Sequence, residues 1–190
     1  MPTNIAIFAS GGGSNAEEII RYFENNQNIC VALIVSNKSD AYVLERADNH
    51  DIPYYVHAKD DQETGLMIDV LQAYKIEYIV LAGYLKKISA NLIQAYPNKI
   101  INIHPALLPK YGGKGMYGMH VHKAVELAKE EESGITIHFV NENYDEGNII
   151  SQFSCRIEQG DTAEQIQKKV LQLEHEHFAQ EIEKLIQSKR

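Results

Sequence analysis

The sequence predicts an α/β fold with a mostly parallel sheet, antiparallel strands near the C-terminus and helices on both faces. Two observations predict it. Over the first 105 residues, short runs dominated by Val, Ile and Leu alternate with amphipathic segments, as in parallel strands that are buried on both faces. Later, two apolar runs are separated only by the stretch "ENYDEG", which leaves no room for a helical crossover, so we expect them to pair antiparallel.

The elements follow in order along the chain. The five expected parallel strands share near-continuous apolar runs, and they lie at 4–10, 29–37, 53–58, 78–84 and 99–105. The amphipathic segments between them are expected to form helices at 16–25, 42–50, 64–75 and 89–96. A glycine-rich loop then leads to a helix near 120–131, to the antiparallel strands at 134–141 and 147–157, and to a long final helix. Thr162 is the expected N-cap of that helix, and Gln165 completes an approximate capping box.

A chain of 190 residues with 44% hydrophobic residues suits one domain, so we expect a single domain over 1–190 with a Rossmann-like arrangement. Ligands of open α/β sheets bind beyond the carboxyl ends of the strands. The loops after the first, fourth and fifth strands are therefore the candidate binding loops.

The charge and the cysteines restrict the possible partners. A net charge of −8 argues against binding nucleic acid or an anionic membrane, because such binding draws on clustered Lys and Arg. Met1 leads almost directly into a strand and the apolar runs are short, so neither a signal peptide nor a membrane span is expected. Cys30 and Cys155 lie in apolar runs and are interpreted as reduced core thiols. We therefore expect a cytoplasmic protein whose partners are small molecules.

The loop after the first strand has the sequence Ser10-Gly11-Gly12-Gly13-Ser14-Asn15. Three glycines permit a tight turn with inward N–H groups, and the start of the following helix adds a partial positive charge. We interpret this run as a phosphate cradle, although an ordinary strand-to-helix turn would look similar. The run also matches the dinucleotide fingerprint G-x-G-x-x-A. A dinucleotide is disfavoured because the acidic residue expected at the end of the second strand comes late, at Asp40.

Asn102 and His104 occupy the end of the fifth strand, where Pro105 stops strand pairing. The two side chains point to the same side by the two-residue period of a strand. An amide can donate to a developing oxyanion, and an imidazole can transfer a proton near neutral pH. Asp145, on the turn between the last two strands, offers the carboxylate that often orients such an imidazole. Each signal alone is weak, but together they predict acid–base chemistry at this edge.

Three stretches, "ASGGGSN", "NIHPALLPKY" and "GITIHFVNENYDEGNII", together resemble the phosphoribosylglycinamide formyltransferase family of purine biosynthesis. They occur in that family's order and spacing, and the resemblance covers nearly the whole chain. It implies transfer of a formyl group from 10-formyltetrahydrofolate to the amine of glycinamide ribonucleotide, without a metal. It also implies that Asn102, His104 and Asp145 are the catalytic residues, with Asp145 favouring a charged His104.

The resemblance further implies the binding residues. The substrate's phosphate would be held by Gly11, Gly12, Gly13, Ser14 and Asn15, and Glu174 would contact the ribose hydroxyls. The folate would contact Asn102 and two segments, which comprise Tyr84, Leu85, Lys86, Lys87, Ile88 and Asn141, Glu142, Asn143, Tyr144. Lys86 stands where the family commonly has Arg. We expect a monomer or a weak homodimer.

The segment 111–122 and His138 leave two points open. The segment 111–122 is several residues longer than in many relatives, and its glycines suggest a mobile flap. His120 and His122 within it could be a metal pair, but a third and a fourth ligand are not nearby in sequence. His138 either faces the catalytic edge or packs in the core.

Other functions fit the sequence less well. Methionyl-tRNA formyltransferase has a similar triad but adds a C-terminal domain and a basic RNA-binding surface. Formyltetrahydrofolate deformylase also shares the triad and carries an additional N-terminal domain. A non-catalytic nucleotide-binding regulator would use the glycine loop and would need neither Asn102 nor His104.

Overall fold

The computed structural model describes residues 1–189, which form seven strands and six helices. The strands are β1 Thr3–Phe8, β2 Ile29–Ser36, β3 Tyr54–Val56, β4 Ile76–Leu81, β5 Ile100–His104, β6 Glu132–Phe139 and β7 Ile149–Arg156. The helices are α1 Ser14–Phe23, α2 Val43–Asn49, α3 Leu66–Ala73, α4 Ala90–Ala95, α5 Met119–Leu127 and α6 Ala163–Gln187. Every element expected from the sequence is present, with ends displaced by one to a few residues, as is usual for fraying helix and strand termini.

All seven strands belong to one sheet in the order β3-β2-β1-β4-β5-β6-β7. The first five strands are parallel, whereas β6 pairs antiparallel with β5, and β7 pairs antiparallel with β6. This is the Rossmann-like, mostly parallel arrangement that the sequence predicts, and the prediction is confirmed. The chain order reverses between β1 and β4, so the loops that follow these two strands diverge and leave a crevice between them.

The apolar core lies on both faces of the sheet, because alternate residues of each strand point in opposite directions. Ile5 and Ile7 of β1 join a buried cluster with α1, α2 and α6. Ala6 and Phe8 join a second cluster with α3 and α4. The near-continuous apolar sequence of the parallel strands follows from this double coverage.

The long helix α6 begins with a complete capping box. The Thr162 hydroxyl oxygen accepts a hydrogen bond from the Gln165 backbone N–H, and the Gln165 side chain accepts one from the Thr162 N–H. The helix packs against α1, α5, β6 and β7. This position brings its middle turns to the carboxyl edge of the sheet.

The interpretation of both cysteines as core residues is wrong for Cys30, which is exposed, and Cys155 is half-buried. At the amino end of β2 only one side of the strand is packed. Ile29 and Val31 are buried there, whereas Cys30 between them faces solvent. An apolar run therefore did not imply burial on both faces at that end of the strand.

Candidate active site

A cavity of about 320 Å³ opens at the carboxyl ends of β4 and β5. Its walls come from the segment after β4, the end of β5, the segment 111–122, the β6–β7 turn and α6. A volume of this size suits a small-molecule ligand. The cavity therefore lies where the fold class and two of the three candidate loops place a binding site.

Asn102 and His104 both line this cavity, as their two-residue spacing predicts. Asn102 is paired across the β5–β6 ladder with His138, and its Nδ2 lies 3.0 Å from His138 Nε2. The other ring nitrogen of His138, Nδ1, is 2.9 Å from the Phe139 carbonyl oxygen and donates to it. The Nε2 atom of a neutral His138 is then an acceptor for the Asn102 amide. Both alternatives considered for His138 hold, since it is buried and also faces the cavity.

Asp145 lies beside both histidines. Its carboxylate oxygens are 3.5 Å from His104 Nδ1 and 3.6 Å from His138 Nε2, and Oδ2 accepts a 2.8 Å hydrogen bond from the Gly113 N–H. Burial alone would raise the pKa of Asp145, but the contacts with His138, His104 and the Gly113 N–H outweigh it and lower the pKa. The carboxylate is therefore ionised at neutral pH.

His104 is almost fully buried, and its Nε2 donates to the Tyr111 carbonyl oxygen at 2.8 Å. Burial lowers the pKa of His104, although Asp145 and the Tyr111 carbonyl both act to raise it. Asp145 thus acts in the direction that the sequence argument expects, but burial is the larger effect. The imidazole is therefore neutral at pH 7.

The glycine run turns from β1 into α1. Gly13 precedes the helix with φ of 67°, in the left-handed region that glycine adopts at low cost. Asn15 lines the cavity, whereas 11–14 lie outside the lining. The Asn15 Nδ2 donates to Glu174 Oε2 at 2.5 Å, and its Oδ1 is buried without a hydrogen-bond partner among residues 1–189. An unpaired acceptor and a carboxylate therefore meet at one end of the cavity.

Glu174 extends from α6 into the cavity and is the second predicted substrate-binding residue there. Burial raises the pKa of its carboxyl group, against the hydrogen bond from Asn15. Gln167 and Leu171 line the cavity from the same helix. Sequence reasoning missed these two, although their offsets of seven and three residues from Glu174 place all three on one helix face.

The two segments predicted to contact folate also line the cavity. All five residues of 84–88 line the cavity, as do Asn141, Asn143 and Tyr144, while Glu142 lies outside the lining. Lys87 stands 5.8 Å from the centre of the Tyr144 ring, so the two segments meet in a cation–π contact. The structure thus brings both segments to one wall.

Tyr84 directs its hydroxyl away from solvent into a buried network. The hydroxyl donates to His57 Nε2 at 2.7 Å and accepts from Gln62 Nε2 at 2.8 Å. Gln62 Oε1 in turn accepts from the Ser89 N–H at 2.9 Å. Burial raises the pKa of Tyr84 well above its usual range. Nothing in the sequence pattern indicated this network, because its members are far apart along the chain.

The segment 111–122 covers part of the cavity with Gly113, Gly115, Met116, Tyr117 and Gly118. It is tied to the site at two points, by the Tyr111 carbonyl on His104 and the Gly113 N–H on Asp145. His122 also lines the cavity and is buried, and burial lowers its pKa to about 4, with a smaller effect from His104. The idea that this segment is a mobile flap stays a prediction.

Residues 1–189 contain neither a candidate metal site nor a candidate membrane span. No group of three or more His, Cys, Asp or Glu side chains in that range could hold a metal ion. Within the same range, no helix has the length and apolar character needed to cross a bilayer.

Comparison with known proteins identifies the family. A family model described as formyl transferase matches residues 3–182, which is nearly the whole chain. The chain belongs to the formyl transferase family. The resemblance found in the motifs of the glycine run, β5 and the β6–β7 turn is thereby confirmed.

Two relatives of the chain are both named phosphoribosylglycinamide formyltransferase. The chain is 45% identical over 183 residues to the chloroplastic phosphoribosylglycinamide formyltransferase of Arabidopsis thaliana, covering 93% of this chain and 63% of that protein. It is 39% identical over 187 residues to the phosphoribosylglycinamide formyltransferase of Bacillus subtilis, covering 95% of this chain and 93% of that one. The chain spans only about three-fifths of the length of the chloroplastic relatives, 63% and 61%.

A solved formyl transferase structure shows the same fold. The crystal structure of phosphoribosylglycinamide formyltransferase from Bacillus halodurans matches with a TM-score of 0.89 at 34% identity. The match covers 99% of this chain and 97% of that one.

Proposed function

We propose that this protein transfers a formyl group from 10-formyltetrahydrofolate to the amine of 5′-phosphoribosylglycinamide, a step of de novo purine biosynthesis. The observation that carries the proposal is the arrangement of one cavity. Asn15 and Glu174, which share a hydrogen bond, line it together with the segment 84–88, residues of 141–144 and the three residues Asn102, His104 and Asp145. The names of the relatives, phosphoribosylglycinamide formyltransferases, support it.

We assign the two substrates to different parts of this site, with the phosphate of the acceptor reaching past the cavity lining to the glycine run. The phosphoribosyl part of the acceptor suits the end near α1, where the glycine run offers backbone N–H groups and Glu174 can accept from a ribose diol. The folate suits the other wall, against 84–88 and 141–144. The acceptor amine and the formyl carbon then meet beside Asn102 and His104, so binding supplies proximity and orientation.

The reaction exchanges one C–N bond for another. The lone pair of the neutral acceptor amine attacks the formyl carbon, and the carbonyl oxygen becomes an oxyanion. One hydrogen of the Asn102 amide is directed at His138, and the second is the one that we propose donates to that oxyanion. Collapse of the intermediate breaks the bond between the formyl carbon and the folate nitrogen. The folate nitrogen takes up one proton as the amine loses one, so protons balance.

Asp145 and His104 transfer the proton of the acceptor amine and stabilise the charge that develops. The neutral His104 takes up the proton that the attacking amine loses, and the ionised Asp145 at 3.5 Å stabilises the imidazolium that forms until the proton is passed on. Asp145, acting through a water molecule, relays the proton of the amine toward the leaving nitrogen. All of these groups belong to the protein or the substrates, and the proposal involves no metal.

The acceptor assay is the direct test of this function. Purified protein is mixed with 10-formyltetrahydrofolate, and loss of the formyl group is followed with glycinamide ribonucleotide, with charged initiator tRNA, or with no acceptor. We expect fast turnover only with glycinamide ribonucleotide and slow hydrolysis without acceptor, because bound amine gains from proximity. Turnover that glycinamide ribonucleotide does not change would favour a deformylase, and turnover that requires tRNA would favour a tRNA formyltransferase.

The remaining expectations belong to the same proposal. We propose one formyltransferase domain over 1–190, acting in the cytoplasm as a monomer or weak homodimer, with small-molecule partners and without nucleic acid or membrane. The two unpaired cysteines support a reducing compartment. The net charge of −8 opposes a polyanionic partner.

A further inference from the structure

We propose that Arg46 is a positioning residue for substrate phosphate: together with helix α2 it turns the backbone N–H groups of the glycine run toward the ligand. The inference rests on the proposed function, in that the ligand it serves is a phosphorylated acceptor. Arg46 lies on α2, far from the glycine run in sequence, and no motif pointed to it.

Two carbonyl groups of the glycine run are held by α2. Arg46 Nε donates to the Gly12 carbonyl oxygen at 2.7 Å. The backbone N–H of Val43, the first residue of α2, donates to the Gly11 carbonyl oxygen at 3.1 Å. Gly13 also packs directly on Val43, since a Cβ at Gly13 would lie 2.6 Å from Val43 Cγ2. Helix α2 is therefore the surface on which the run is folded.

Peptide geometry converts these two anchors into a direction for N–H groups. A trans peptide is planar, so the carbonyl oxygen of one residue and the N–H of the next point in opposite directions. Holding the Gly11 oxygen toward α2 turns the Gly12 N–H away from it, and holding the Gly12 oxygen does the same for the Gly13 N–H. Both donors then face away from α2, in the way that backbone nests bind anions.

Arg46 also helps to neutralise the Glu17 carboxylate, which lies on α1 close to the glycine run. Its Nη1 lies 3.0 Å from Glu17 Oε2, and Glu17 is buried on α1, four residues after Gly13. Arg21 Nε and His50 Nε2 contact the other carboxylate oxygen at 2.7 Å and 3.1 Å. Burial opposes ionisation of Glu17, yet the hydrogen bonds from His50, Arg46 and Arg21 lower its pKa to about 2. Without these cations, a carboxylate would repel phosphate at the start of α1.

The two contacts of Arg46 need its guanidinium. Nε and Nη1 reach the Gly12 oxygen and the Glu17 carboxylate at once because they lie in one rigid plane. A lysine ammonium is a single point of charge and cannot hold the same pair of acceptors with that geometry. Arg21 contacts the same Glu17 but has no contact with the glycine run among residues 1–189, so it is a matched control.

The test compares Arg46→Met, Arg46→Lys and Arg21→Met. We measure kcat, KM for glycinamide ribonucleotide and KM for 10-formyltetrahydrofolate, and we titrate ribose 5-phosphate calorimetrically. We expect Arg46→Met to raise the KM for glycinamide ribonucleotide about tenfold and to lower the affinity for ribose 5-phosphate about tenfold. This is the scale of one or two oriented hydrogen bonds. Arg46→Lys should recover only part of this loss. The folate KM should stay within twofold of wild type. Arg21→Met should leave all these values within twofold, because Arg46 and His50 still contact Glu17 and Arg46 still holds the Gly12 oxygen.

A double variant separates positioning from the effect of the uncompensated Glu17 charge. Arg46→Met leaves Glu17 with one cation fewer, so Glu17→Gln is added to remove the carboxylate charge. The phosphate defect should persist in the double variant, because the Gly12 oxygen still lacks its donor. A double variant that binds ribose 5-phosphate like wild type would overturn the inference.

Failure of this inference is distinguishable from failure of the proposed function. If wild type binds ribose 5-phosphate, if Arg46→Met weakens that binding, and if glycinamide ribonucleotide is nevertheless not turned over, the proposed function fails and the role of Arg46 holds. Equal binding of ribose 5-phosphate by wild type and Arg46→Met, or binding by neither, overturns the role of Arg46.

Discussion

Asp145 joins three separate parts of the chain through one carboxylate: the segment 111–122 through Gly113, strand β5 through His104 and strand β6 through His138. Its backbone has φ of 57°, a left-handed conformation that Asp tolerates better than most residues. The tight turn before β7 therefore constrains the backbone, and the neighbouring histidines constrain the side chain. A residue at this position must satisfy both.

Gly12 and Gly13 differ in what a side chain would meet, and their variants should differ accordingly. A Cβ at Gly12 has no heavy atom within 4 Å, whereas a Cβ at Gly13 lies 2.6 Å from Val43 Cγ2 on a backbone with positive φ. We expect Gly13→Val to cost about 2 kcal/mol or more of unfolding free energy through overpacking and strain. Gly12→Val should keep near-native stability and raise mainly the KM for the phosphorylated acceptor.

Urea unfolding and steady-state kinetics of the two valine variants check this expectation. The control is the folate KM, which should stay near the wild-type value for Gly12→Val. If the folate KM rises while the acceptor KM does not, the glycine run binds the folate and its assignment to the acceptor phosphate is wrong.

Side-chain hydrogen bonds hold the segment 84–88 at its start and just beyond its end. At its start the Tyr84 hydroxyl is fixed by His57 and Gln62, and beyond its end Gln62 holds the Ser89 N–H. Ser89 also caps α4 by accepting from the Leu92 N–H. One glutamine side chain therefore links both ends of the segment 84–88, and the shape of this part of the cavity wall depends on residues that do not line it.

Tyr84→Phe should make the segment 84–88 less rigid without affecting the chemical step. The substitution leaves the buried His57 Nε2 and Gln62 Nε2 without their partner, at a cost of about 1–3 kcal/mol. We expect the KM for 10-formyltetrahydrofolate to rise about fivefold while the acceptor KM stays constant. The exposed Tyr54 provides the control, and Tyr54→Phe should leave both KM values unchanged. Equal KM values for Tyr84→Phe and wild type would show that the network is not needed.

Over the whole molecule, hydrophobic periodicity was sufficient to predict the order of the elements and the change from parallel to antiparallel pairing. The sequence also predicted that Asn102 and His104 lie together at the carboxyl edge of the sheet. The two-residue period of a strand and the proline that ends it can both be read from neighbouring residues. The contact of Asn102 with His138 depends on the β5–β6 register, and the Tyr84 network depends on tertiary packing. Neither has a local sequence signal. Cys30 was misjudged because apolar character does not reveal which strand end is uncovered.

His122 should make the whole fold sensitive to mild acid. Burial lowers its pKa to about 4 in the folded state, whereas the unfolded chain binds the proton near the ordinary value of 6.5. Between these values the unfolded state holds more protons, so the unfolding free energy falls as pH falls. From pH 7 to pH 5 this one group should remove about 2 kcal/mol.

Urea unfolding of wild type and His122→Gln at pH 7 and pH 5 measures this contribution. The variant should lose less stability than wild type between the two values, by about 2 kcal/mol. His120→Gln, an exposed position on the same helix, is the control and should behave like wild type. The same pH dependence in His122→Gln and wild type would contradict the assignment.

The central claim is that Asn102, His104 and Asp145 act together on the formyl group in this one cavity. Its most direct measurement is kcat for formyl transfer to glycinamide ribonucleotide by Asn102→Ala, His104→Ala, Asp145→Ala and their combinations. We expect each single variant to lower kcat by a factor of about 10²–10³. Combined variants should lose far less than the product of the single losses, because the residues serve one transition state. A correctly folded His104→Ala protein with near-native kcat, or losses that multiply, would contradict the account.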